Sequence, residues 1–185
     1  MTNAPVPKTT LNPGKLAVVG ILLLAVGLAG FAWVWNWQRT VKCREFYGGE
    51  GANLIRTATQ IEGLALSGLY DDESQEQIAV GSGAFEIVGR KDLSRANGFI
   101  HARTALLDDS SYRWDDQTTG DCQPNFLYAV RFRDGERQIT LAFDFGCPHL
   151  WIVETQRQVT LAPKIAEGWQ SFLRRQMVSE SSKSP

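Results

Sequence analysis

Residues 122–147 read Cys-Gln-Pro-Asn-Phe-Leu-Tyr-Ala-Val-Arg-Phe-Arg-Asp-Gly-Glu-Arg-Gln-Ile-Thr-Leu-Ala-Phe-Asp-Phe-Gly-Cys. Phe126 to Phe132 and Ile139 to Phe145 alternate apolar with polar or small residues, the period of a half-buried strand. Between them Asp134-Gly135 is a preferred type I′ turn pair, so the stretch predicts a β-hairpin. With those two residues as the loop, Phe132 faces Arg137, Val130 faces Ile139, Tyr128 faces Leu141, Phe126 faces Phe143 and Pro124 faces Phe145. One face is then almost wholly apolar. Pro124 has no ladder N–H to lose in this register, which suggests an outer edge.

The same register sets Cys122 opposite Cys147 at a non-hydrogen-bonded site, where Cα atoms lie about 4.5 Å apart. That separation is within reach of a disulfide. Closing the loop would stabilise the fold by roughly 3 to 4 kcal/mol in the loop-entropy model. Such bonds persist outside the cytoplasm, so Cys122 and Cys147, unless they are two reduced, buried thiols, predict an extracytoplasmic domain, whereas the flanking charges, Lys8 and Lys15 before the apolar run at 16–35 and Arg39, Lys42 and Arg44 after it, are ambiguous or slightly favour a cytoplasmic one. Cys43 is left over, and is read as an unpaired thiol.

Working outward, the chain has 185 residues, 43% hydrophobic and 21% charged, the composition of an ordinary folded protein. Nineteen Lys and Arg against twenty Asp and Glu give a net charge of −1, without the basic excess that a nucleic-acid partner requires. Three cysteines are too few for a disulfide-dense scaffold and lack the paired spacing of a zinc ribbon.

Leu16 to Trp35 contains no charge and no Asn, Gln, Ser or Thr. At 1.5 Å per residue it covers roughly 30 Å, the hydrocarbon thickness of a bilayer. A single transmembrane helix over 16–37 is therefore expected, with Trp33, Trp35, Trp37 and Arg39 at the membrane interface. The apolar run exceeds the h-region of a cleaved signal peptide. Phe31 stands where a lipobox would need Cys, and Gly30-Phe31 lies inside the helix rather than before it, which excludes lipoprotein and pilin signatures. Gly20, Ala25, Gly27, Ala29 and Gly30 form a small-residue face on which another helix or a second copy could pack.

The expected layout is a tail over 1–15, the span, a juxtamembrane linker over 38–51, an α+β soluble domain over 52–178 and a disordered tail over 179–185. Within the domain the patterns predict a helix over 52–66, a loop over 71–77 and a strand over 85–88. A helix capped by Asp92 follows, with Leu93, Ala96, Ile100 and Leu107 on one face. Beyond the hairpin, 150–161 reads as one strand. Pro163 then opens a helix whose Ile165, Trp169, Phe172 and Leu173 should pack on the sheet. The fold class is α+β, a single transmembrane helix followed by an antiparallel meander with packed helices.

The sequence of strand, helix, Cys122-x-Pro124, hairpin and Cys147 resembles that of uncharacterised bacterial proteins, often membrane-anchored or secreted, that carry a cysteine-flanked hairpin. The resemblance covers about residues 84 to 152. Many of those relatives have a second Cys in the Phe-x-x-Cys stretch, where this chain has only Cys147. The resemblance implies no known chemistry.

No catalytic constellation is legible. Gly81-Ser82-Gly83 lacks the frame of a nucleophile elbow, and Gly48-Gly49-Glu50-Gly51 lacks a Walker lysine and reads as a flexible link. Cys122, Cys147, His149 and His101 do not form a convergent zinc set, because His101 falls on a polar helix face. The acidic pairs Asp71-Asp72, Asp108-Asp109 and Asp115-Asp116 follow no calcium-loop spacing. No cofactor or metal is expected. The expected partners are the lipid bilayer and a membrane-protein partner or second copy. The expected function is binding, or support of a cell-envelope complex. The alternatives are an accessory subunit acting through its transmembrane helix, and an envelope enzyme with an unrecognised site.

Overall fold

The computed structural model describes residues 13–67, 76–115, 122 and 124–178. The chain divides into two units, Met1–Gln38 and Arg39–Pro185. In the first unit α1 (Pro13–Gln38) starts with a proline at its first position, where the missing N–H costs nothing. Its segment Gly14–Trp35 is 22 residues long, apolar enough to cross a membrane, and none of its side chains is buried. Of the expected tail over 1–15, residues 1–12 lie outside the described residues and 13–15 open α1, and the expected tail 179–185 lies outside them too.

The second unit contains α2 (Val41–Thr57), β1 (Gln60–Ser67), β2 (Gln77–Val80), β3 (Gly83–Asp92), α3 (Phe99–Ala105), a single 3-10 turn (Asp109–Ser111), β4 (Tyr112–Arg113), β5 (Phe126–Asp134), β6 (Arg137–Asp144), β7 (His149–Ile152), β8 (Arg157–Leu161) and α4 (Pro163–Val178). The eight strands form one antiparallel sheet in the order β2-β3-β1-β5-β6-β7-β8-β4. This is the α+β class that the sequence predicts, with β5 to β8 as the meander.

The hairpin differs from the expected register by two residues. Its loop is Gly135-Glu136, because Gly135 takes φ 61° at the first central position, as a type II′ turn requires. Asp134 and Arg137 close the loop with an ion pair of 2.6 Å. Phe132 now faces Ile139, Val130 faces Leu141 and Tyr128 faces Phe143. An even shift preserves both faces, so the expected apolar side is retained. A bulge between Phe126 and Tyr128 then turns Phe126 to the opposite side, where it meets Phe85 and Trp151 edge-on at 5.3 and 6.1 Å. Pro124 does not mark an edge, since the strand begins at Phe126 and β5 lies inside the sheet between β1 and β6.

Other boundaries also move. The linker expected over 38–51 is largely helix, and Cys43, Phe46 and Tyr47 are buried in the core, so the folded unit begins at Arg39 rather than at 52. The helix expected over 52–66 ends at Thr57 and gives way to β1. Ile61, Leu64 and Ala65 mimic helical spacing because β1 buries residues on both faces. Asp92 caps a turn through Ser94 N instead of a long helix, and α3 starts only at Phe99, leaving Ile100 71% exposed. The single strand expected over 150–161 is two strands joined by a turn at 153–156. Leu150 and Ile152 join Val159 and Leu161 on the helical side, while Trp151 and Val153 face the other way.

On the helical side α2, α3 and α4 cover Ile61, Val130, Phe132, Leu141, Phe143 and Leu150, with Trp169 of α4 4.8 Å from Phe143. Burial of each such side chain stabilises by roughly 1.5 to 3 kcal/mol. On the other side the β2–β3 arm brings Ile78, Val80, Phe85 and Ile87 to Leu64, Leu66, Ala129, Ala142 and Trp151. Polar contacts fasten the arm. Gln156 accepts from Gly81 N at 2.8 Å and donates to Ala79 O at 2.9 Å. Arg131, 4% exposed at the centre of the sheet, lies 2.9 Å from Glu76 and 3.8 Å from Glu62. Glu76 also bonds Arg90.

The start of α2 is held from a distance. Thr40 makes no side-chain cap, and Asp109 supplies one, accepting from Lys42 N at 3.0 Å and Cys43 N at 2.7 Å. Asp109 N returns a bond to Arg39 O at 2.8 Å. Replacing a cap by Ala typically costs about 0.5 to 2 kcal/mol. Asp109→Ala should therefore lower stability by about 1 to 2 kcal/mol in denaturant titration, whereas Asp108→Ala should cost less.

Arg90, then Arg131, hold the Glu76 carboxyl below the usual carboxylate range despite some opposing desolvation. A lowered folded value means that the Glu76 contribution is complete at neutral pH and lost as pH falls through that value. Amide exchange at Ile78 and Val80, corrected for intrinsic rates, should accelerate through that acid range. Glu76→Gln should already exchange rapidly at neutral pH.

Candidate groove at the kink of the second helix

Gly48 divides α2. Its φ of 74° and ψ of 161° belong to a backbone region that is essentially reserved for glycine. The first half of the helix is fixed by Tyr47, whose hydroxyl meets that of Tyr112 at 2.6 Å, and by Arg157, which donates to Glu45 O at 3.0 Å and lies over Phe46. Tyr112 in turn donates to Leu106 O at 2.8 Å. Burial pushes both phenols above their ordinary range. They act as neutral, structural hydroxyls.

The second half is fixed by Gly51, where a Cβ would stand 3.1 Å from Ile139 Cδ1. The helix therefore packs closely on the hairpin at this point. Gly48 and Gly49, by contrast, have open space where a Cβ would be. The result is a cavity of about 540 Å³ between the kink and the tips of the β5–β6 and β7–β8 hairpins. Its floor is Tyr47, Leu54, Ile139 and Ile152, and its rim carries Glu50, Arg137, Gln138, Glu154 and Thr155. The size falls in the range of small-ligand and side-chain pockets.

The rim charges are unequally engaged. Arg137 is paired with Asp134, and Glu154 accepts one bond from Thr140 N at 2.9 Å. A second cavity, of about 500 Å³, is lined by Thr59, Glu62, Arg90, Lys91, Asp92 and Arg95 and has no comparable apolar floor. The groove at the kink offers apolar contact area, while the second cavity offers mainly polar groups.

Cys122 and Cys147 form the disulfide that the sequence predicts, with Cα atoms 5.9 Å apart. Both cysteines lie beyond the β5–β6 ladder, which ends at Phe126 and Asp144, so the expected ladder spacing does not apply to them. Asp144, fully buried, accepts from Gly146 N and Cys147 N at 3.0 and 3.2 Å and curls the turn that carries Cys147 inward. With both sulfurs bonded, neither is available as a zinc thiolate, and His101 is exposed on α3. Among the described residues no three of His, Cys, Asp and Glu gather to hold a metal ion. Cys43 is a free thiol buried beside Asp109, and burial, reinforced by Asp109, pushes it far above its ordinary range.

On α1, Trp33 stacks on Trp37 at 5.8 Å and Phe31 on Trp35 at 5.9 Å. Arg39 is exposed and begins the second unit. Gly20, Gly27 and Gly30 have open space around them, and Ala25 and Ala29 are exposed. Sequence reasoning passed over Glu50, Leu54, Ile139, Ile152 and Glu154 as site residues. The one signal for them was the glycine cluster 48–51, read as a flexible link.

Comparison with protein-family models, with curated proteins and with solved structures finds no match for the chain.

The kink separates two neighbouring glycines by their backbones. Gly48→Ala should destabilise by about 1 to 3 kcal/mol, the usual cost of such strain, and should perturb the groove. Gly49→Ala, with negative φ and open space, should be neutral or slightly stabilising by thermal melting.

Proposed function

We propose that this chain is a single-pass membrane-anchored protein whose α+β domain lies outside the cytoplasm and binds a partner in the cell envelope. The observation that carries the reading is the Cys122–Cys147 disulfide in a chain that also has a 22-residue apolar helix near its amino terminus. A cross-link of that kind persists where the medium is oxidising. Binding rather than catalysis is supported by how the polar groups nearest the groove are used. Tyr47 and Tyr112 bond each other, Arg137 bonds Asp134, and Glu154 holds Thr140 N.

A second reading is an accessory subunit that works mainly through α1. It is favoured by the open space at Gly20, Gly27 and Gly30, which would let another helix approach closely.

Two measurements test these readings. Cells treated with a membrane-permeant maleimide before lysis should yield protein with Cys122 and Cys147 unmodified unless reductant is added first, and Cys43 unmodified until denaturation. Labelling of Cys122 and Cys147 without reduction would remove the extracytoplasmic assignment. Replacing Leu16–Trp35 by an unrelated apolar helix should leave the partner complex intact by size-exclusion chromatography in mild detergent. Loss of the complex on that exchange would favour the second reading.

A further inference from the structure

We propose that the groove at the kink of α2 receives a polypeptide segment in which apolar side chains are flanked by lysine or arginine. This rests on the binding reading above and names the class of partner. The floor of Tyr47, Leu54, Ile139 and Ile152 suits one or two apolar side chains, and the cavity of about 540 Å³ has the volume for them. The charges around it select the flanks. Glu50 stands on the helix lip and Glu154 on the opposite lip, at the β7–β8 turn, both exposed. The cation of the rim, Arg137, is neutralised by Asp134 at 2.6 Å. A segment crossing from one lip to the other therefore meets a carboxylate on each side of an apolar floor, a pattern complementary to cation, apolar, cation.

The groove also suits a segment rather than a compact domain surface. Gly48 and Gly49 have no side chain and open space above them, so a partner main chain can approach the helix backbone closely. Gly51 packs closely on Ile139 of the hairpin wall, and the Tyr47–Tyr112 bond anchors the first half of the helix, both without a ligand. A preformed site loses less on ordering than a mobile one. The apolar anchor supplies most of the affinity, and the exposed carboxylates supply the choice between partners.

The test uses the full chain in phosphatidylcholine nanodiscs and two fluorescein-labelled peptides, acetyl-Lys-Lys-Leu-Phe-Leu-Lys-Lys-amide and the same peptide with Glu in place of Lys, read by fluorescence anisotropy against empty nanodiscs. The basic peptide should bind at least about tenfold more tightly than the acidic one at low salt. Glu50→Gln combined with Glu154→Gln should weaken the basic peptide by about 3- to 10-fold, as expected for two exposed ion pairs. Gly49→Trp should fill the groove and weaken it at least about tenfold, and Thr155→Trp should do the same from the other lip if the first variant misfolds. Equal binding of both peptides, binding unchanged by either Trp variant, or no binding of the basic peptide would each overturn the proposal. The partner complex measured above tells the two failures apart. If it survives helix exchange while neither peptide binds, the ligand class is wrong and the binding reading stands.

Discussion

The fold depends on β5 having to bury both of its faces. It lies fourth of eight in the sheet, between β1 and β6, and its consecutive residues 129–132 are buried, so neither face at its centre meets water. Toward the helices it presents Val130 and Phe132, and away from them Ala129, Arg131 and, through the bulge, Phe126. An apolar second face needs a cover, which the β2–β3 arm supplies. A guanidinium buried at its centre needs carboxylates, and Glu62 and Glu76 supply those. Small residues at Ala129 and Ala142 leave room for the arm to lie close. The arm, the ion cluster and the Gln156 fastening therefore all serve one strand whose residues are buried on both faces.

The helical side is organised by contacts that cross long stretches of chain. Asp109 caps α2 from 66 residues away, Tyr112 bonds Tyr47 from 65 and Arg157 bonds Glu45 from 112. These hold the segment that follows α1 as part of the core rather than as a tether. They also place a kinked helix against two hairpin tips, and the groove is the space left where its glycines cannot fill the gap. The disulfide belongs to the same pattern. It ties the approach to β5 to the turn after β6, at the end of the hairpin away from its loop.

Much of this was legible because it is local. Alternation at period 2 in residues 126–145 specified the hairpin, and a turn error of two residues kept residues 128–132 on their expected faces, while the bulge turned Phe126 to the other side. Trp169, Phe172 and Leu173 at helical spacing after Pro163 specified the last helix, and they are buried as expected. Where both faces of an element are covered, the pattern lost its meaning. Ile61, Leu64 and Ala65 read as helix, although they sit in a strand with buried residues on either side.

By itself, the sequence determined a 22-residue apolar helix, an α+β domain built on an antiparallel hairpin, and the pairing of Cys122 with Cys147, because each follows from residue spacing within a short window. Only the tertiary structure decided that residues 41–51 are core helix, that β5 is interior, that Arg131 is buried, and that Glu50 and Glu154 flank one apolar floor. Those features join residues far apart in the chain. Their energies arise when elements pack, and no local spacing records which elements will meet.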